Sequence, residues 1–212
     1  MPRTRPFEEH AGRYEAWFDR HQEAFRSELA ALRSIQGGPP ILGVEIGVGS
    51  ARFARPLGFQ VGVEPALAMA RIAARKGIVT VRGIAERLPL RTGTFDQALM
   101  VTTICFVDDL LQSFLEVRRV LASRGTVLVG LIDRESPIGQ VYEEKRSENV
   151  FYRDADFYVA REVLGLLSEA GFGDPVTAQT LFSLPGASEG TEPVRTGYGE
   201  GSFVAIAARR LD

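Results

Sequence analysis

The sequence contains few of the residues from which metal sites and nucleophile sites are usually built. Its 212 residues include a single cysteine, Cys105, and only two histidines. One cysteine can form neither an intrachain disulfide nor a cysteine-rich metal site. His10 and His21 lack the spacing of a metal-binding pair on one helix face, and no cluster of other ligand residues follows them. We therefore predict no bound metal.

Long apolar runs and a strong net charge are also missing. No stretch is long enough to cross a bilayer, and the N-terminal residues MPRTRPFEEH lack the apolar centre of a signal peptide. These absences predict a cytoplasmic protein without a membrane partner. The formal net charge of -2 argues against a large nucleic-acid surface, so no nucleic acid is expected as a partner. The content of 45% hydrophobic and 25% charged residues, over 212 residues, favours a single globular domain.

Residues 41–54, with the sequence ILGVEIGVGSARFA, organise the rest of the chain. The apolar run 41–46 is typical of a buried parallel strand, and a glycine turn and a helix-compatible piece from Ala51 follow it. Glycines let the backbone approach a ligand closely, and the N–H groups at a helix start attract an anion. This pattern fits a dinucleotide site, a sulfonium-nucleoside site or a turn without a ligand. A dinucleotide site usually has a third glycine where this chain has Arg52.

The next predicted strand, 59–64, ends in an acid, Glu64. In a nucleotide-binding βαβ unit a carboxylate at this place accepts hydrogen bonds from ribose hydroxyls. Pro65 then suits the first turn of a helix. Ligands of open α/β sheets lie beyond the carboxyl ends of the strands, so the loop that starts at Thr102 is also expected at the site.

Hydrophobic periodicity and glycine or proline breaks predict the remaining elements. The predicted strands are 41–46, 59–64, 78–82, 95–101, 126–132, 176–184 and 202–209. The predicted helices are 7–32, as one or two helices, a short helix from 51, and 65–76, 109–121 and 160–170. A long turn is predicted over 185–201.

Several of these motifs together resemble the class I S-adenosylmethionine-dependent methyltransferases. Glu45-x-Gly47-x-Gly49 is similar to their first motif, and Val63-Glu64-Pro65-Ala66 is similar to the second. The stretch GIAERLPL at 83–90 resembles the Gly-Asp-Ala-Glu-x-Leu-Pro segment that lines the adenine pocket. The loop TTICFVDD at 102–109 is similar to that of an uncharacterised subgroup of small-molecule, type 11-like methyltransferases.

The resemblance implies an α/β fold. The expected fold is a Rossmann-like, doubly wound sheet of seven strands, six parallel and the last hairpin strand antiparallel, with helices on both faces and an N-terminal helical lid. It divides the single domain into a lid at 1–38, a cofactor-binding core at 39–132, a substrate-side insertion at 133–158, and C-terminal elements at 159–212.

The resemblance also implies S-adenosyl-L-methionine as cofactor, with S-adenosyl-L-homocysteine as product. Ile84 stands where an aspartate often binds the adenine amine, so Glu86 is the alternative acceptor there. The expected cofactor-binding residues are Tyr14, Glu45, Gly47, Gly49, Glu64, Pro65, Ile84, Ala85, Glu86 and Thr102.

The expected partner is a small-molecule methyl acceptor, which the sequence does not identify. Its candidate contacts are aromatic residues and two charged residues after the fifth strand. The aromatic residues favour a flat or cationic molecule. The candidates are Trp17, Phe106, Asp133, Arg134, Tyr142 and Tyr152.

Three functions follow from these patterns. The first is methyl transfer by in-line displacement, mainly through proximity and orientation, with no catalytic residue identified. The second is non-catalytic binding of S-adenosylmethionine or S-adenosylhomocysteine, which the absence of an evident base favours. The third is an NAD-dependent oxidoreductase. Arg52 at the third glycine position and the absence of a Tyr-x-x-x-Lys pair argue against this third function.

Overall fold

In the computed structural model, which describes residues 3–184 and 190–212, the strands form one sheet with helices on both faces. The strands of these residues are β1 (Gly43–Ile46), β2 (Val61–Val63), β3 (Val79–Val81), β4 (Phe95–Val101), β5 (Leu121–Ile132), β6 (Phe172–Thr180), β7 (Arg195–Thr196) and β8 (Phe203–Arg210). Their helices are α1 (Arg5–Glu9), α2 (Ala11–Arg20), α3 (Gln22–Gln36), α4 (Ala54–Leu57), α5 (Leu67–Arg75), α6 (Leu110–Val120), α7 (Pro137–Glu144) and α8 (Ala160–Glu169).

The strand order is β3-β2-β1-β4-β5-β8-β6-β7, and β1 to β5 pair in parallel. Strand β8 runs antiparallel to both β5 and β6, so β6 has the direction of the parallel strands. The predicted doubly wound fold is confirmed, but the described residues contain eight strands instead of seven. The additional strand is the two-residue β7, which pairs with β6 inside the segment predicted as a long turn. Residues 185–189 of that turn lie outside the described residues.

Alternating side chains of the central strands pack into two hydrophobic cores on opposite faces of the sheet. Ala98 and Met100 of β4 pack with Phe114 and Val117 of α6, which recur at helical spacing. On the other face, the side chain of Leu99 packs in the core that includes residues of α3, α4 and α5. The parallel strands are thereby covered on both sides, which explains their continuous apolar sequences.

The N-terminal segment forms three helices where one or two were predicted. Helix α3 belongs to the body of the protein, because it contacts β6 and β8 and fully buries Ala31 and Leu32. Helices α1 and α2 bury little of their surface; Phe18 is the buried residue of α2. Within residues 3–38, α3 is therefore part of the body of the protein, and α1 and α2 are the less buried helices.

The helix predicted from Ala51 begins later and is short. Ala51 has a left-handed backbone (φ 62°), which interrupts a helix, and α4 spans only Ala54–Leu57 before the left-handed Gly58 (φ 84°). The glycine motif therefore forms an extended turn over residues 47–53, and the predicted helix start at Ala51 is wrong. Any anion at this place would meet turn N–H groups instead of a helix terminus.

Candidate active site

One large cavity, of about 250 Å³, opens at the carboxyl ends of the parallel strands. Its floor includes the last residue of each of four strands, β1, β2, β4 and β5. The cavity thus lies where the strand order reverses between β1 and β4, the position at which open α/β sheets bind ligands. These four residues are Ile46, Val63, Val101 and Ile132.

The structure brings most of the predicted site residues together around this cavity. Nine of the ten cofactor candidates line it, namely Tyr14, Gly47, Gly49, Glu64, Pro65, Ile84, Ala85, Glu86 and Thr102. Four of the six acceptor candidates line it as well, namely Trp17, Phe106, Tyr142 and Tyr152.

Glu45, Asp133 and Arg134 do not line the cavity. Glu45 is buried on β1, where its carboxyl group accepts the N–H of Ala54 at the start of α4. Its Oε2 has no hydrogen-bond partner among the described residues. Burial raises the pKa of Glu45 well above its ordinary value. The carboxyl group of Glu45 faces α4 and not the cavity. Glu45 therefore stabilises the connection between the glycine turn and α4.

The two charged residues after β5 face α8 instead of the cavity. The Asp133 carboxylate accepts the N–H groups of Glu135 and Ala160, both at 2.9 Å. Arg134 donates to the Phe157 carbonyl at 2.8 Å and forms an ion pair with Glu162 at 2.8 Å. Both side chains therefore fasten the end of β5 to the start of α8.

Glu64 connects β2 with the glycine turn at the cavity wall. Its Oε2 accepts the N–H of Gly49 at 2.8 Å, and its Oε1 accepts the N–H of Ala66 at 2.8 Å. The residue is only 6% exposed. Burial outweighs these two hydrogen bonds and raises the pKa of Glu64 to about 7. A further hydrogen-bond donor in the cavity would stabilise its ionised form.

The glycine turn itself can tolerate no side chain at Gly47. Gly47 has φ +69°, and a Cβ atom there would clash with Cγ2 of Thr103. At Gly49 (φ +52°) a Cβ atom would lie 3.7 Å from the Tyr14 hydroxyl, an ordinary contact distance. A methyl group at Gly49 therefore fits the protein itself and points toward the residue that covers the cavity.

Two carboxylates bind α1 and α2 to α5, to the glycine turn and to Lys76. Glu8 of α1 accepts the N–H groups of Leu67 and Ala68 at the start of α5. Glu15 of α2 binds Arg52 of the glycine turn at 3.0 Å and also Lys76, at 2.8 Å. Arg52, the residue in place of a third glycine, thus holds the covering helix.

Aromatic rings close the cavity between the N-terminal helices and the insertion. Phe7 packs against Phe106 at 5.0 Å and against Phe151 at 5.5 Å between ring centroids. Tyr142 stacks on Tyr152 at 4.6 Å. These contacts join three separate segments of the chain around one apolar space.

Comparison with known proteins identifies the family. A family model described as a methyltransferase domain matches residues 44–129. A solved Thermotoga maritima structure, described as an S-adenosylmethionine-dependent methyltransferase and possible histamine N-methyltransferase, is 44% identical, with a TM-score of 0.94 over 98% of this chain and 100% of that chain. This chain belongs to the class I S-adenosylmethionine-dependent methyltransferases.

Two further comparisons place this methyltransferase more broadly. An uncharacterised protein of Methanocaldococcus jannaschii is 38% identical over 205 residues, which cover 97% of this chain and 98% of that protein. A Haloferax volcanii chain solved in complex with the Trm112 methyltransferase activator has a TM-score of 0.72 at 14% identity, covering 100% of this chain and 99% of that chain. The second likeness shows the shared fold alone.

The described residues of the methyltransferase fit its family's cofactor. The cavity offers a glycine turn that a ligand can approach closely, and a buried carboxylate at the end of β2 that still has room for donors. Next to them, Ile84 and Ala85 provide an apolar wall, while Glu86 accepts the N–H of Asp108 at 2.7 Å. Within residues 3–184 and 190–212, no helix is long and apolar enough to cross a membrane, and no group of three potential metal ligands occurs.

Several residues of the methyltransferase's cavity were missed in the sequence. Phe151, Arg13 and Arg20 line it without a motif that distinguishes them from surface or core residues, and Thr103 lies in the loop 102–109 that was expected there but was not named as a candidate. Glu28, in contrast, could have been identified from the sequence. It falls on the buried face of α3, three residues after Phe25 and four before Leu32, where an acid is out of place.

Proposed function

We propose that this protein transfers the methyl group of S-adenosylmethionine to a small-molecule acceptor by in-line displacement. The main observation behind the proposal is that one cavity contains both a cofactor half and an acceptor half. One half holds Glu64 and the glycine turn, and the other is walled by Trp17, Tyr142 and Tyr152. The first half suits a nucleoside with free hydroxyls, and the second suits a small, largely apolar molecule.

In the cofactor half, Glu64 would bind the ribose hydroxyls and the glycine turn would leave space for the methionine part. Ile84 and Ala85 would pack on the adenine ring, with Glu86 beside them. Glu86 already accepts a backbone N–H, so an adenine amine would share its carboxylate. When bound, the cofactor supplies a methyl group already activated by a sulfonium.

In the acceptor half, the residues of the chain mainly orient the acceptor and exclude water. Holding two reactants in a near-attack geometry can lower a barrier by roughly 7–11 kcal/mol at best. The aromatic contacts between Phe7, Phe106 and Phe151 provide the closed, apolar surroundings that this requires. An acceptor with a free lone pair needs no general base. That the Thermotoga relative is described as a possible histamine N-methyltransferase supports an acceptor of this size.

We further propose that α1 and α2 act as the lid and that 133–158 acts as the substrate-side insertion. Both carry rings that meet over the cavity, which supports the assignment. The cytoplasmic location stays a prediction.

Thermal unfolding with S-adenosylmethionine, S-adenosylhomocysteine or NAD tests the cofactor, followed by a methyl-transfer screen over small molecules. A ligand at a hundredfold excess over its Kd stabilises the folded state by about 2.7 kcal/mol. We expect stabilisation by both adenosyl compounds and transfer to at least one acceptor. Stabilisation without transfer to any compound would favour a non-catalytic binding protein. Stabilisation by NAD alone would favour an oxidoreductase.

A further inference from the structure

Glu28 presents a carboxyl group to the cavity from α3. Its side chain lines the cavity although the residue is only 4% exposed. Between residues 3–184 and 190–212 it accepts no hydrogen bond and forms no ion pair. Burial of an acid without a partner destabilises a protein, and natural chains keep such groups mainly where they meet a ligand. The carboxyl group of Glu28 is therefore available to a ligand.

None of the arginines that line the same cavity neutralises Glu28. Arg3 is bound to Asp156 at 2.6 Å and to the Asp154 carbonyl at 2.6 Å. Arg13 and Arg20 form no ion pair with Glu28. The carboxyl group deep in the cavity thus has no charged partner, and a positively charged ligand group would favour its ionised form.

The surroundings of Glu28 further restrict the ligand. Two titratable groups interact electrostatically with Glu28, namely Tyr14 of α2 and Tyr142 of α7. The pKa of each tyrosine is raised, first by burial and then by nearby carboxyl groups that include Glu28. Trp17 and Tyr152 line the cavity beside them. Aromatic faces attract cations and pack well on flat apolar groups. A basic amine with a small apolar body meets all of these conditions.

We propose that Glu28 binds a basic amino group of the methyl acceptor, so that the acceptor is a small amine whose apolar part lies against the aromatic walls. The inference rests on the proposed methyl transfer, because it assigns the acceptor half of that site. It does not depend on the cofactor residues. Glu28 lies on α3, whereas Glu64 and the glycine turn follow β2 and β1.

The test uses Trp17, the single tryptophan of the chain, as a fluorescent probe of the cavity. The protein is saturated with S-adenosylhomocysteine and titrated with two matched pairs of compounds. The pairs are phenethylamine with 2-phenylethanol, and histamine with 2-(imidazol-4-yl)ethanol. We expect each amine to bind at least tenfold more tightly than its alcohol, because only the amine can carry a positive charge.

The variant Glu28→Gln keeps the shape of the side chain and removes its charge. We expect it to weaken amine binding at least tenfold and to change the affinities for the alcohols and for S-adenosylhomocysteine less than twofold. Glu23→Gln is the matched control, since Glu23 is a half-buried acid on the same helix that pairs with Arg26. It should leave every affinity unchanged.

Three results would overturn the proposal. They are equal binding of amines and alcohols by the unaltered protein, no amine binding while S-adenosylhomocysteine binds, and an equal loss for amines and alcohols in Glu28→Gln. The comparison of amines with alcohols needs no variant, so it holds even if Glu28→Gln does not fold. Failure of S-adenosylhomocysteine to bind would instead count against the proposed methyl transfer, and the same titrations without it would still test Glu28.

Discussion

The carboxylate of Glu64 accepts the amide N–H of Gly49 at 2.8 Å, although fifteen residues separate them in the chain. This hydrogen bond links the acid after β2 to the glycine turn after β1 in the cavity wall. A carboxylate offers about four lone-pair positions, so two backbone N–H groups leave it able to accept further hydrogen bonds. One side chain can therefore shape the turn and bind a ligand.

Replacement of Glu64 by Gln should weaken S-adenosylhomocysteine binding by about tenfold to a hundredfold. Hydrogen bonds to a charged group contribute roughly 1.5–3 kcal/mol, and the amide of Gln accepts through one oxygen only. Isothermal titration calorimetry measures the change. Glu9→Gln is the control, because Glu9 is an exposed acid on α1 that pairs with Arg5. An unchanged Kd in Glu64→Gln would show that Glu64 does not contact the cofactor.

Cofactor affinity should fall as the pH is lowered from 8 to 6. Burial raises the pKa of Glu64 to about 7 in the free protein, so its neutral form is populated at and below pH 7. Hydroxyl donors favour the ionised form, so binding lowers this pKa and releases protons. Below pH 7 the loss approaches tenfold per pH unit. Calorimetry in buffers of different ionisation enthalpy measures the protons released. No proton release at pH 6.5 would contradict the prediction.

Gly49→Ala should abolish cofactor binding and leave the fold intact. A methyl group at Gly49 meets the Tyr14 hydroxyl at 3.7 Å, which is tolerable, but in the proposed binding mode it would take up space that the cofactor needs. The left-handed backbone at φ +52° adds about 1 kcal/mol of strain.

Gly77→Ala controls for that strain, because Gly77 has φ +91° and nothing lies within 4 Å of its added Cβ atom. Both variants should lose similar stability in urea unfolding, and only Gly49→Ala should lose the stabilisation by S-adenosylhomocysteine. Equal stabilisation of the two variants would show that the turn does not approach the cofactor closely.

The sequence was sufficient to predict the sheet and the cofactor half of the cavity, because both depend on local patterns. Apolar runs mark the parallel strands, and Glu64 is found by its register after the glycine turn. The errors arise where contacts are distant in the chain. Asp133 is bound to Ala160, 27 residues away. The helix start at Ala51 is a separate error, because a left-handed backbone is uncommon at a residue other than glycine. The helical spacing marks Glu28 as an acid on a buried face, but only the tertiary structure shows that this face meets the cavity.

Glu8→Ala should loosen α1 without unfolding the protein. Glu8 accepts two N–H groups at the start of α5, where the helix dipole also favours a negative charge. Its loss removes that anchor, at a cost of about 1 kcal/mol.

Hydrogen exchange followed by mass spectrometry should show severalfold faster exchange in residues 5–20 and unchanged exchange in α3. Dissociation of S-adenosylhomocysteine should also accelerate. The neighbouring variant Glu9→Ala should leave both rates unchanged, because Glu9 pairs only with Arg5 on its own helix. Protection of 5–20 that survives Glu8→Ala would mean that the ring contacts alone hold α1.

The unpaired carboxyl of Glu28 should also make the protein less stable as the pH rises. Burial raises its pKa from 4.5 to about 8 in the folded state, so between these values the unfolded chain has lost the proton that the folded chain retains. The contribution of Glu28 to the free energy of unfolding is therefore greatest below pH 4.5 and decreases until about pH 8. At about 1.4 kcal/mol per pH unit, this contribution falls by on the order of 5 kcal/mol between the two pKa values.

Glu28→Gln removes this ionisation and keeps the shape, so its free energy of unfolding should exceed that of the unaltered protein at pH 8 and approach it at pH 5. The pKa of Glu64 is also raised in the folded state, so Glu28→Gln removes only part of the pH dependence of stability. Urea unfolding at both pH values measures the difference, with Glu23→Gln as the control. A variant that is less stable at pH 8 would show that Glu28 has a structural partner. A gain in stability together with a loss of amine binding would identify an acid that is kept for its ligand at the expense of the fold.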